Sequence, residues 1–167
     1  MNSERPSLWE FATELYGRDG VKSALLELQD EDKLEIPFLL FTLWVETYTG
    51  TLPRTEVAKL LTVASKISAN LVRPMRASRQ WLKAQQPEAV TLYRQLLAVE
   101  LASEKLLLEK LESRFLRENL DEVCNRGEVL STTECYLQLS GFCHTDKNKK
   151  RLATITASLW IRSFDSP

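Results

Sequence analysis

The stretch Val90-Thr-Leu-Tyr-Arg-Gln-Leu-Leu-Ala-Val-Glu-Leu-Ala-Ser-Glu-Lys-Leu-Leu-Leu-Glu-Lys-Leu-Glu-Ser-Arg-Phe115 decides the fold. Each residue of a helix advances by about 100°, so Val90, Tyr93, Leu97, Leu107, Leu108, Leu111 and Phe115 share one broad apolar stripe. This pattern predicts one long helix, begun by Pro87 and running to about Asn119. Glu100 and Glu104 fall inside the stripe. A carboxylate withdrawn from water must be paired, hydrogen-bonded or protonated, so the two predict either a polar lock inside a helical core or a ligand site.

A helix of that length calls for a hairpin partner, and the residues upstream supply one. Val57, Leu60, Leu61, Ala64, Ile67 and Leu71 mark an apolar face behind a cap at Thr55, and the pattern resumes after Pro74 with Met75, Ala77, Trp81 and Leu82. Proline removes a backbone hydrogen bond, which leaves a kinked continuous helix and two separate helices both open. Further upstream, Pro37-Phe-Leu-Leu-Phe-Thr-Leu-Trp-Val45 is apolar almost all round. A span needs about 20 apolar residues, so this segment is a buried core helix and no membrane crossing is expected.

Ser7 and Glu10 have capping-box spacing, and Leu8, Phe11, Ala12 and Leu15 follow at helical intervals until Gly17. Asp19 is placed to cap a second helix carrying Val21, Ala24, Leu25 and Leu28. Beyond residue 120 the signal weakens. Ser131 or Thr132 can cap a short helix through Cys135, Tyr136 and Leu139, while residues 154–161 fit a helix and a strand alike.

A length of 167 residues fits one domain with its own core. With 22 Lys and Arg against 23 Asp and Glu, no overall field draws nucleic acid or anionic lipid. Cys124, Cys135 and Cys143 are odd in number, show no paired metal-ligand spacing and follow no signal peptide, which reads as reduced thiols in a cytoplasmic chain. His144 reads as an ordinary loop or helix-end residue. No metal or cofactor is expected: di-metal bundles use Glu-x-x-His pairs, and the single histidine lies outside the long helices. Nucleophile elbows and phosphate-cradling glycine loops are absent from the sequence. The basic run Lys147-Asn-Lys-Lys-Arg151 reads as a solvated loop and helix start, so nucleic acid is not an expected partner.

If the hairpin turns near residue 86, residues whose numbers sum to about 173 lie level. Arg73 then faces Glu100, and the lean of side chains toward their own N-terminus brings Arg76 in as well. Arg79 and Arg76 lie nearest the apolar edge, and a guanidinium can hold a carboxylate by two parallel hydrogen bonds. The indoles of Trp9, Trp44 and Trp81 and the hydroxyls of Tyr48 and Tyr93 are further donors. Glu104 is level with Ala69 and Asn70, out of easy reach of an arginine. Glu100 is therefore expected to be structural, and if either carboxylate serves binding it is expected to be Glu104.

Together, Ser7-Leu-Trp-Glu-Phe-Ala-Thr-Glu-Leu-Tyr16, Leu28-Gln-Asp30, Leu39-Leu-Phe-Thr-Leu-Trp44, Arg73-Pro-Met-Arg76-Ala-Ser-Arg79 and Glu100-Leu-Ala-Ser-Glu104 resemble a family of small helical cytoplasmic proteins of proteobacteria, designated a domain of unknown function. The resemblance covers residues 7–115. It implies a gammaproteobacterial source and supplies no activity and no catalytic residues to transfer.

The expectation is an all-α, single-domain helical bundle over residues 1–167, with a central apolar helix at 37–49, a long hairpin at 55–119 and a helical extension at 120–167. The first functional expectation is a non-enzymatic interaction or regulatory protein of the bacterial cytoplasm, whose partner is another protein docked in an apolar groove. The alternative is a small-molecule-binding protein or enzyme. The residues expected to bind are Glu104, Glu100, Arg76, Arg79, Arg73, Trp44 and Tyr48, and self-association stays open.

Overall fold

A computed structural model describes residues 5–123 and 130–160. The elements are helical throughout these residues: α1 (Leu8–Tyr16), α2 (Val21–Asp32), α3 (Ile36–Tyr48), α4 (Arg54–Ile67), α5 (Arg73–Gln85), α6 (Val90–Arg117), α7 (Leu120–Val123), α8 (Thr132–Leu139) and α9 (Asp146–Trp160). The protein is an all-α helical bundle. Cys124 lies outside the described residues.

The centre is α3, which buries every residue from Ile36 to Val45. Its Phe38, Phe41 and Trp44 meet Phe115 of α6 and Tyr136 of α8 in a chain of edge-on and tilted ring contacts 5.0–6.3 Å apart. Such contacts add to the burial of large apolar area. Around this centre, α1 lies across α6 with its backbone N–H at Leu8 donating to Glu112 at 3.1 Å. The Ser7–Glu10 capping box forms as the spacing predicts.

Three details differ from the sequence reading, and one alternative that it leaves open is decided. Asp19 does not cap α2; Gly20 does, at φ 75°, a left-handed conformation that glycine adopts without steric cost. Thr55 lies inside α4, which starts after Pro53. Pro87 sits in the turn between α5 and α6, because the residue before a proline is pushed out of the helical region and Gln86 is at φ −137°. Residues 154–160 are helical, so the strand alternative falls.

At Pro74 the chain does not break. Residues Ser68–Val72 form one wide π-type turn that joins α4 to α5, and the Arg73 N–H reaches back five residues to the Ser68 carbonyl. The wider turn relieves the clash between a proline ring and the preceding turn while keeping the helix continuous.

The C-terminal helix α9 is fastened to α2 by charge. Arg151, buried, reaches Glu27 at 2.6 Å and Glu31 at 2.8 Å, and Lys147 reaches Glu31 at 2.9 Å. Two of the four cations of the basic run, the buried Arg151 and the exposed Lys147, are thus engaged by the acidic side of α2.

A salt-bridged cleft between α1, α2 and the hairpin

The helices α5 and α6 end and begin at Gln85 and Val90, so residues whose numbers sum to 175 lie level across the hairpin. That places Glu104 level with Leu71, five residues from Arg76, or about 7.5 Å along the axis. Side chains lean toward their own N-terminus, and in an antiparallel pair the two leans converge here: Glu104 tilts toward the turn and Arg76 away from it. The gap closes, and Arg76 Nη2 donates to Glu104 Oε1. The expectation that no arginine reaches Glu104 is therefore corrected.

Arg76 also donates from Nε to Glu100 Oε1 at 2.9 Å. Arg79 completes the cluster with Nε to Glu100 Oε2, Nη2 to Glu100 Oε1 at 3.2 Å, and Nη1 to the Tyr93 hydroxyl at 3.4 Å. Arg73, expected opposite Glu100, turns instead to Glu35 at the start of α3, which also accepts from the Ser68 hydroxyl. Its direction around the helix differs from that of Arg76 and Arg79, and it faces α3 at the wide turn.

Both oxygens of Glu100 are satisfied, and its side chain is 7 % exposed. Burial alone would raise this carboxyl, but the hydrogen bonds from Arg79 and Arg76 and their charges together hold it below the ordinary carboxylate range. Glu104 is 22 % exposed, and its Oε2 accepts no hydrogen bond among the described residues. Its burial outweighs the pull of Arg76, and the neighbouring Glu100 charge adds to the upward shift.

The two shifts have opposite consequences. For Glu100, stability is present above the unfolded pKa and lost as pH falls through the lower folded value; for Glu104, stability is present below the unfolded pKa and lost as pH rises through the higher folded value. At neutral pH, Glu100→Gln is therefore expected to lower the melting temperature and Glu104→Gln to leave it unchanged or raise it. Thermal melts of both variants at pH 7 and below pH 4 check the sign, and equal losses at pH 7 would refute this electrostatic assignment.

The cluster forms one end of a cleft of about 380 Å³. Its walls come from Trp9, Ala12 and Tyr16 of α1, Leu26 of α2, Ile36, Pro37 and Leu40 of α3, and Leu97, Leu101 and Leu108 of α6. The mouth opens between Leu26 and the pair Leu97 and Leu101, all exposed. Trp9 is held in place by Lys105, whose ammonium lies 5.3 Å from the ring centre. A second hollow of about 320 Å³ continues past Arg76 and Gln29, which line both, toward Asp30, Lys33, Glu35, Arg73 and Gln80. The result is a groove with an apolar end and a charged end.

Glu100, Glu104, Arg76 and Arg79 are thus brought together, with Arg73 at the charged end of the groove. Trp44 and Tyr48 are elsewhere. Trp44 is fully buried in the core, its indole N–H donating to the Pro6 carbonyl at 2.9 Å with the Arg5 guanidinium 4.6 Å from its ring centre. Tyr48 packs edge-on against Phe11 on the far side of α1. Spacing along α3 could place these two on a helix face but not say which neighbours that face meets.

Sequence reasoning missed Tyr16, Lys22 and Gln29, which reach the cleft because α1 packs on α6 and α2 lies beside α1 and α3. Burial, reinforced by the charge of Glu104, pushes the Tyr16 phenol well above its ordinary value. Among the described residues, the Tyr16 hydroxyl and the Lys22 ammonium make no hydrogen bond or ion pair. The detectable signal was Tyr16 on the same side of α1 as Trp9, Ala12 and Thr13.

An all-α bundle with a salt-bridged groove beside its long hairpin defines the structural class. Residues 7–111, more than half the chain, match a family described as protein of unknown function (DUF2390), and the chain belongs to that family. Every residue lining the groove lies within the matched region. No curated protein and no solved structure matches the chain.

Proposed function

We propose that this is a non-enzymatic binding protein of the bacterial cytoplasm whose groove receives an amphipathic segment of another protein. The observation that carries the reading is the continuity of the groove past Gln29 and Arg76, apolar between α1, α2 and α6 and charged between α2 and α5. A segment with apolar residues at one end and polar residues at the other matches both halves. Glu104 Oε2, the Tyr16 hydroxyl and the Lys22 ammonium are polar groups that an occupant would satisfy. The cytoplasmic setting is supported by the family resemblance; among the described residues, no helix is long and apolar enough to cross a membrane.

The volume of the apolar end supports a second reading, because about 380 Å³ lies within the usual range of small-molecule pockets. One experiment separates the two. The tagged chain and its Leu101→Arg variant are purified from the native host, and retained proteins and small molecules are identified by mass spectrometry. The protein-binding reading expects a stoichiometric protein retained by the wild type and reduced at least tenfold by Leu101→Arg. A bound molecule below about 1 kDa, lost in the variant while no protein is retained, would support the second reading instead.

A further inference from the structure

The long hairpin carries a second apolar face, away from the groove. On α6, Leu92, Leu96, Val99, Ser103 and Leu106 follow the alternating four-and-three spacing of a coiled-coil seam. On the opposing helix, Leu71, Met75, Ser78 and Leu82 repeat the same spacing. Leu82 and Ser103 are buried, yet Leu92, Val99 and Leu106 remain 48 %, 47 % and 40 % exposed. The two helices cover only part of their own seam, which is the state of a hairpin that supplies half of a four-helix bundle.

We propose that a second copy of this chain covers the seam, α6 against α6 in antiparallel orientation about a two-fold axis at Val99. Under that axis, residues whose numbers sum to 198 lie opposite: Val99 meets its copy and Leu92 meets Leu106, so the stripe is self-complementary. The same axis brings Glu88, in the turn two residues ahead of α6, to the level of Lys110. Both are exposed, and neither has an ion-pair partner among the described residues. Parallel pairing would instead oppose Glu88 to Glu88 and Lys110 to Lys110. From Val90 to Lys110 the face is about 30 Å long, and two helices at about 10 Å each give it a width near 20 Å. That footprint of roughly 600 Å², enlarged by side-chain relief, approaches the roughly 800 Å² each partner buries in a standard interface. The groove lies on the other side of α6 and stays open in this pairing.

Sedimentation velocity of the full chain, from micromolar to hundreds of micromolar, tests the proposal. The wild type is expected to reach twice the chain mass, and Val99→Glu to remain at the single-chain mass. Glu88→Lys is expected to weaken self-association about tenfold at low salt, with Lys110→Glu in the same chain restoring it. The charge swap decides the matter even if Val99→Glu fails to fold. A wild type that is monomeric throughout, or a dimer indifferent to both charge changes, would overturn the proposal.

Discussion

Arg76→Ala is expected to destabilise the protein by about 3 kcal/mol, at the lower end of the cost of breaking a buried ion pair. Removal of this side chain leaves Glu104 with no cationic partner and takes from Glu100 one of its two. The cost stays at the lower end because Arg79 still holds Glu100 and because Glu104 retains some solvent. For a chain of this size the loss corresponds to about 9 °C in melting temperature. Replacing all four members of the cluster by methionine is expected to be far milder, within about 1 kcal/mol of wild type, since apolar groups of similar volume carry no desolvation cost. Differential scanning calorimetry of the two variants checks the ordering. If the cluster also serves binding, the four-methionine variant folds and fails to retain its partner.

Trp44→Ala is expected to cost about 4 kcal/mol, the range for deleting a fully buried large aromatic side chain. The indole lies between Phe41 and Phe115 and ties Pro6 to α3 through its N–H. Truncation opens a cavity at the crossing of α3 and α6 and frees the segment leading into α1. Trp44→Phe keeps most of the packing and loses the hydrogen bond, so its cost is expected near 1 kcal/mol. Urea denaturation measures both. A small loss for Trp44→Ala with a large loss of binding would return Trp44 to the list of ligand contacts.

Much of the fold was legible because helices announce themselves by period. The capping box at Ser7, the proline in the first turn of α3 and the apolar stripe of α4 are local features that form where their spacing places them, whereas the α6 stripe is buried from Leu107 to Phe115 and leaves Val90 and Leu97 exposed. Glu100 and Glu104 were legible as anomalies in a stripe, and the arginine-rich turn of α5 as the source of their counter-charge. The details that escaped depend on distances between elements. Arg73 is drawn to Glu35, a loop residue whose position is set by α3 packing under the wide turn. Arg76 reaches Glu104 because two opposite side-chain tilts add up across the hairpin, which a level count alone does not contain. Tyr16 enters the groove only through the packing of α1 on α6, and Lys22 only through the place of α2 beside α1 and α3. The pairing of α9 with α2 did have a signal, since Glu27 and Glu31 share the four-residue spacing of Lys147 and Arg151.

The proposed occupant of the groove beside the hairpin is a segment of another protein. The most direct measurement is site-specific photo-crosslinking in living cells, with the photoreactive residue at Leu101 in the mouth of the groove and, as a control, at Lys59 on the exposed side of α4. One discrete adduct with a different protein is expected from position 101, abolished by Leu97→Arg, and none from position 59. The absence of an adduct at position 101, or equal labelling from both positions, would contradict it.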